Sequence, residues 1–146
     1  MNSRTARLAA TLALAAGLSA VAHADDDATL AAAAKESGAS VSAAGVVYKS
    51  IKDGTGASPK ASDTVKVNYR GTFPDGKEFD ASRGTPISFQ LNRVIPCWTE
   101  GVQKMKVGGK AKLTCPSATA YGPRGAGGVI PPNATLVFEV ELLAVN

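Results

Sequence analysis

Val94-Ile95-Pro96-Cys97-Trp98, followed by Thr99-Glu100-Gly101-Val102-Gln103-Lys104-Met105, holds the only tryptophan of the chain. A proline stands just ahead of the indole, and Trp98, Val102 and Met105 recur at helical spacing. The stretch therefore reads as a short helix laid on a sheet with the indole turned inward. Tryptophan is seldom buried completely, because its ring is large and its N–H wants a partner. A single inward Trp in a small domain either plugs the core or floors a pocket, and this stretch alone leaves both readings open.

Away from the helix the spacing changes from helical to alternating. Residues 46–51 read as a first strand closed by Asp53-Gly54-Thr55-Gly56. In 63–71, Val65, Val67 and Tyr69 share one face while Thr64, Lys66, Asn68 and Arg70 share the other, the signature of a strand buried on one side. Pro74-Asp75-Gly76 makes a turn, residues 77–82 return toward the sheet, and Ile87, Phe89 and Leu91 alternate as a further strand. The helix is expected to end near Gly108-Gly109. Beyond it, Ala111, Leu113 and Cys115 point inward, a glycine-rich loop runs over 120–128, and Leu136, Phe138, Val140 and Leu142 share the inner face of a last strand. Several strands and one short helix describe an α+β domain over 46–146, an antiparallel curved sheet wrapped around a single helix.

The residues ahead of that domain have another character. Arg4 and Arg7 without an acid, an apolar run over 8–21 and Ala22-His23-Ala24 make residues 1–24 a secretory signal peptide with cleavage near Ala24. Residues 25–45, small and polar with an alanine-rich start, read as a flexible or partly helical spacer. An exported protein, periplasmic or secreted, is expected, with no cysteine at the cleavage site for a stable lipid anchor in the membrane. Loss of Arg4 and Arg7 lowers the net charge from +4 to +2, too balanced to argue for nucleic acid. Cleavage also removes His23, the only histidine. That excludes histidine-based acid–base catalysis, Ser-His or Cys-His nucleophiles and histidine-ligated metal from the mature chain.

No phosphate cradle of the form G-x-x-x-x-G-K-[ST] is present, and two cysteines without histidine make no ordinary zinc site. Neither a cofactor nor a metal is expected. What remains is a set of aromatic residues, Tyr69, Phe79, Trp98, Tyr121 and Phe138, with one carboxylate, Asp80, between Phe79 and Ala81. On its own Asp80 could equally cap a turn.

The motifs Val67-Asn68-Tyr69-Arg70-Gly71, Phe79-Asp80-Ala81-Ser82, Val94-Ile95-Pro96-Cys97-Trp98, Glu100-Gly101, Ala120-Tyr121-Gly122 and Ile130-Pro131-Pro132-Asn133-Ala134-Thr135-Leu136-Val137-Phe138 resemble, in order and spacing, the FKBP-type peptidyl-prolyl cis-trans isomerases, in an exported bacterial form. The resemblance covers essentially all of 46–146. It implies a pocket floored by Trp98 and walled by Tyr69, Phe79, Val94, Ile95, Tyr121 and Phe138, with Ile87, Val129 and Ile130 at the rim. Asp80, Tyr121 and Phe138 would be the catalytic residues, and the Ile95 N–H and the Tyr121 hydroxyl would hold carbonyls of the bound chain. Proline-containing unfolded or exported polypeptides would be the substrates, and macrolides of the kind the family binds are an expected ligand class. A holdase or peptide-binding module using the same groove is the alternative. Four positions depart from the family pattern: Cys97 where glycine is common, Cys115 where an aliphatic residue is common, Thr119 where an aromatic occurs, and Ile87 where phenylalanine often sits.

The two departing cysteines come as a pair in a chain addressed to an oxidising compartment, one at the helix start and one on the inward face of a strand. They are expected to form a disulfide. The competing reading is a pair of small buried thiols.

Overall fold

The computed structural model describes residues 24–146. Apart from Ala24, the expected signal peptide of residues 1–24 lies outside the described residues. In chain order the elements are helix α1 (Ala24–Ala34), strands β1 (Ala39–Val41), β2 (Val47–Lys52), β3 (Thr64–Thr72), β4 (Glu78–Ala81) and β5 (Ile87–Gln90), a 3-10 turn (Leu91–Arg93), helix α2 (Pro96–Val102), β6 (Lys110–Cys115), 3-10 turns at Ser117–Thr119 and Gly122–Arg124, and β7 (Leu136–Val145). The strands form one antiparallel sheet in the order β1-β2-β6-β7-β3-β4, with β5 also on β3. β4 pairs with the 70–72 end of β3 and β5 with its 64–67 end, so both lie along the edge that β7 leaves free.

Alternation decides which face is buried. Leu136, Phe138, Val140 and Leu142 of β7 are at most 4% exposed, and Val65 and Val67 of β3 and Ala111, Leu113 and Cys115 of β6 are fully covered. These residues make one concave apolar surface, and α2 lies in it through Cys97, Trp98 and Val102. Pro96 opens α2 at a position where its missing N–H leaves no intrahelical bond unmade. Gly101 allows the close approach: a Cβ there would stand 2.6 Å from Leu113 Cδ2 on β6.

One expectation is corrected. The helix stops at Val102, well short of Gly108-Gly109, because the chain tightens into bonds from Lys104 N–H to the Gly101 carbonyl and from Met105 N–H to the Val102 carbonyl. Met105 is still buried, and Gly108-Gly109 serve the sheet instead, exchanging backbone bonds with Leu142. Part of the spacer is joined to the domain. Its start is helical, as allowed for, but residues 39–41 add an edge strand to β2, and Glu36 reaches Lys112 Nζ at 2.8 Å and Lys49 Nζ at 3.4 Å. Backbone pairing of this kind needs no large apolar side chains, so composition gave no sign of it.

Candidate functional site

Trp98 sits at the junction of α2 and the sheet, and three rings meet it nearly edge-on. Tyr69 of β3 lies 5.2 Å away between centroids, Phe89 of β5 5.4 Å and Phe138 of β7 5.4 Å, with interplanar angles of 83°, 80° and 86°. Edge-to-face contacts at this spacing are attractive, because the positive edge of one ring meets the negative face of another. The result is a box of rings closed below by an indole that is only 4% exposed. Its Nε1 has no hydrogen-bond partner among the described residues.

Above the indole opens a cavity of about 440 Å³ lined by Tyr69, Asp80, Phe89, Arg93, Val94, Ile95, Trp98, Tyr121 and Phe138. A broader groove of about 760 Å³ between α1 and residues 129–135 lacks the tryptophan, both tyrosines and Asp80. The smaller cavity is therefore the candidate site: it gathers the rings around a few directed polar groups, the usual form of a binding pocket. A side recess of about 330 Å³ shares Asp80 and Tyr121 with it and adds Phe79, Ala126, Gly127, Val129 and Ile130.

The polar groups are few and held differently. Asp80 accepts a 2.8 Å hydrogen bond from the Tyr69 hydroxyl through Oδ2 and a 2.9 Å bond from the Ala81 N–H through Oδ1. Burial pushes the Tyr69 phenol above its ordinary range, and the bond to Asp80 and that carboxylate's charge push it further the same way. Tyr69 thus remains a neutral donor. β3 is tied to the segment after β4 by the Tyr69 N–H to Ser82 Oγ bond at 2.9 Å and the Ser82 N–H to Tyr69 carbonyl bond at 3.0 Å. Tyr121 is 41% exposed, and its hydroxyl makes no hydrogen bond among the described residues.

The wall from Leu91 to Thr99 is fixed by its own backbone. Leu91 is fully buried, and its N–H donates to the Asp63 carbonyl at 3.0 Å. The Thr99 hydroxyl donates to the Leu91 carbonyl at 2.6 Å, and the N–H groups of Trp98 and Thr99 both donate to the Ile95 carbonyl. Cys97 is bonded to Cys115 with Cα atoms 5.7 Å apart, joining the first turn of α2 to the end of β6. Both cysteines are fully buried. Gly71 keeps the opposite wall in place: a Cβ there would meet Phe79 Cζ at 2.6 Å and Phe138 Cε1 at 2.9 Å.

Of the expected site residues, Tyr69, Asp80, Val94, Ile95, Trp98, Tyr121 and Phe138 line the cavity. Phe79 stands behind it, its ring 5.6 Å from Phe138, and joins Val129 and Ile130 in the side recess. Ile87 lines neither space; it faces Val67 on a strand that pairs with β3 alone, and is 37% exposed. Phe89, two residues on, fills the wall instead. The alternation of Ile87, Phe89 and Leu91 put both Ile87 and Phe89 on one face of a strand, but the resemblance pointed to Ile87 and not to Phe89. Arg93 gave no signal at all, since periodicity does not place a charged residue in a 3-10 turn. Among the described residues no three His, Cys, Asp or Glu gather to hold a metal ion, and no helix is long and apolar enough to cross a membrane.

Residues 56–143 match the family described as FKBP-type peptidyl-prolyl cis-trans isomerase. The chain is 58% identical over 115 residues to the FKBP-type peptidyl-prolyl cis-trans isomerase FkpA of Escherichia coli K12, an alignment covering 77% of this chain and 42% of that one. It thus spans less than half the length of that relative. The crystal structure of FkpA from Escherichia coli superposes with a TM-score of 0.82 at 44% identity, covering 100% of this chain and 73% of that one. A peptidyl-prolyl cis-trans isomerase from Pseudomonas syringae pv. tomato superposes with a TM-score of 0.79 at 41% identity, covering 83% of this chain and 90% of that one.

Proposed function

The chain belongs to the FKBP-type peptidyl-prolyl cis-trans isomerase family, and from that premise we propose that it catalyses rotation about X-Pro peptide bonds in the cavity above Trp98. The observation that carries this reading is the ring box itself: an indole floor, edge-on aromatic walls and only Asp80, Tyr69, Tyr121 and Arg93 as polar side chains.

Such a site needs neither acid nor nucleophile. Rotation of the amide has a barrier of about 20 kcal/mol because resonance is lost in the twisted state. The planar amide is the more charge-separated form, so moving its carbonyl from water into an apolar box raises it relative to the twisted form. Donors that fit only the twisted geometry lower the barrier further. In this reading the proline ring rests on Trp98 between Tyr69, Phe89 and Phe138. The Ile95 N–H, which donates in none of the bonds that fix its turn, holds a carbonyl of the bound chain. The Tyr121 hydroxyl takes a second carbonyl, and Asp80, oriented by Tyr69, faces the reacting amide.

The substrates are proline-containing segments of unfolded exported polypeptides, met in the periplasm or outside the cell once the leader has been removed. The same apolar lining supports competition by macrolides. The exchange rate of a short Leu-Pro peptide, measured by magnetisation-transfer NMR with the protein at micromolar concentration, tests the reading. Acceleration that Asp80→Ala and Tyr121→Phe each reduce is expected. Equal rates with and without protein would leave only a peptide-holding role for the groove.

A further inference from the structure

Two charged side chains line the cavity, Asp80 and Arg93, and these are placed very differently. Both carboxylate oxygens of Asp80 are engaged, one by the Tyr69 hydroxyl and one by the Ala81 N–H. Arg93 lines the same cavity, is exposed, and forms neither an ion pair nor a side-chain hydrogen bond among the described residues. Of the other described arginines, Arg70 and Arg83 both reach Glu78, while Arg124 forms no ion pair. Arg93 is thus the one cation lining the cavity, and Asp80, the one carboxylate there, is held by Tyr69 and Ala81 and forms no ion pair with it.

Its position is also fixed. Arg93 ends the 3-10 turn Leu91–Arg93, whose first residue is fully buried and held by Asp63 and Thr99. It stands two residues before Ile95, so a chain held at the Ile95 N–H would carry its neighbouring side chains past the guanidinium. The planar fork of arginine matches the two oxygens of a carboxylate, which a hydrated ammonium does less well.

We propose that Arg93 is a specificity-determining residue that selects X-Pro segments carrying an aspartate or glutamate directly beside the proline. The inference rests on the isomerase reading of the cavity and names the substrate class within it. Leucine and other apolar residues use the ring box alone, whereas an acidic neighbour adds a charge-assisted contact to Arg93.

The test compares peptides that differ only by Glu or Gln, placed either just before or just after the proline, so that size and hydrogen-bonding shape are held constant and charge alone varies. At low salt the Glu-to-Gln ratio of kcat/KM at one of the two positions is expected to be about three to five, the scale of a partly solvated ion pair. It should fall toward one as salt is added. Arg93→Ala should bring the ratio to about one, Arg93→Glu should invert it, and Arg93→Lys should keep it above one. Lys66→Ala, on the wet face of β3, should leave it as it is. A merely structural role for Arg93 would lower both peptides together without moving the ratio, and that result would overturn the proposal. So would a ratio of one in the unaltered protein at both positions. If no peptide is turned over, the isomerase reading fails by itself. The Gln-to-Glu ratio of Kd, read from Trp98 fluorescence, then decides the role of Arg93 by the same criteria.

Discussion

The Tyr69 hydroxyl donates to Asp80 Oδ2 at 2.8 Å, so a residue of strand β3 aims the only carboxylate in the ring box. Tyr69→Phe keeps the ring that meets Trp98 and removes only the donor. Loss of a hydrogen bond to a charged group is worth about 1.5 to 3 kcal/mol where both partners are shielded. Asp80 is exposed, so the lower end applies and water replaces part of the loss. A fall of about tenfold in kcat/KM is expected, with the melting temperature lowered by only a few degrees. Equal turnover by Tyr69→Phe and the unaltered protein would show that Asp80 needs no such orientation.

The same pair sets an alkaline limit. Tyr69 has its phenol pushed above the ordinary range, about 10, first by burial and then by Asp80. A tyrosine whose folded value is raised contributes stability that is fully present below the unfolded value and is lost as the pH climbs through the folded one. The protein should therefore hold its stability through pH 9 and lose it progressively above about pH 10. Absorbance at 295 nm should show a late-ionising phenol that is missing in Tyr69→Phe. A Tyr69→Phe variant with the unaltered protein's alkaline profile would show that another group sets the limit.

How much of this was legible in the sequence depends on what kind of contact forms each part. The inward faces of β3, β6 and β7 follow from strict alternation, and Val65, Val67, Ala111, Leu113, Leu136, Phe138, Val140 and Leu142 are all buried as read. Seven residues of the cavity wall stood in motifs whose order and spacing resemble a known family. β1 was not legible, because Ala39, Ser40 and Val41 join the sheet through backbone bonds that composition does not record. Arg93 was hidden for another reason: its place depends on a 3-10 turn anchored by Leu91 and Thr99, partners that a one-dimensional reading does not connect.

Gly71 offers a test of how tightly the wall is built. In a strand, alanine gains roughly 0.5 to 1 kcal/mol over glycine through the unfolded chain. Here the added methyl would meet Phe79 and Phe138 ring atoms at 2.6 and 2.9 Å. Rings do not fold away as an aliphatic chain end can, and overpacking costs about 1 to 3 kcal/mol. Gly71→Ala is expected to destabilise the protein on balance and to reduce turnover through displacement of Phe138. Chemical denaturation showing an unchanged or raised midpoint would mean that the rings yield easily.

Glu36 couples the segment after α1 to the sheet through Lys112 and Lys49. The hydrogen bond from Lys112 leads in holding its carboxyl below the usual range. A depressed carboxylate contributes stability that is present above its unfolded value, about 4.3, and is lost as the pH falls through the lower folded one. Ion pairs this exposed are worth up to about 1 kcal/mol. Glu36→Gln should therefore barely move the global melting temperature at pH 7 while speeding hydrogen exchange in residues 39–41. Unchanged exchange there would show that β1 is held by its backbone bonds alone.

The Cys97–Cys115 bond joins the helix start to the strand end across a sequence separation of 18. Chain entropy assigns a loop of this size about 3 kcal/mol through restriction of the unfolded chain. The site itself has a further stake, because Trp98 follows Cys97 directly, and Gly101, three residues on, already lies against Leu113. With the bond cut, α2 is still held by Val102, Trp98 and the Leu91–Thr99 contact, so the fold should survive reduction with a lower melting temperature. The indole floor then rests on packing alone. Reduced protein, and the double variant Cys97→Ala with Cys115→Ala, should show altered Trp98 fluorescence and a higher KM, with a smaller change in kcat. Serine at either position would add a buried hydroxyl in a fully covered place, so alanine is the cleaner choice. Alkylation of the denatured, unreduced protein should find no free thiol. Two alkylated cysteines in that experiment would refute the bond, and a reduced protein with unaltered KM and fluorescence would show that the floor does not depend on it.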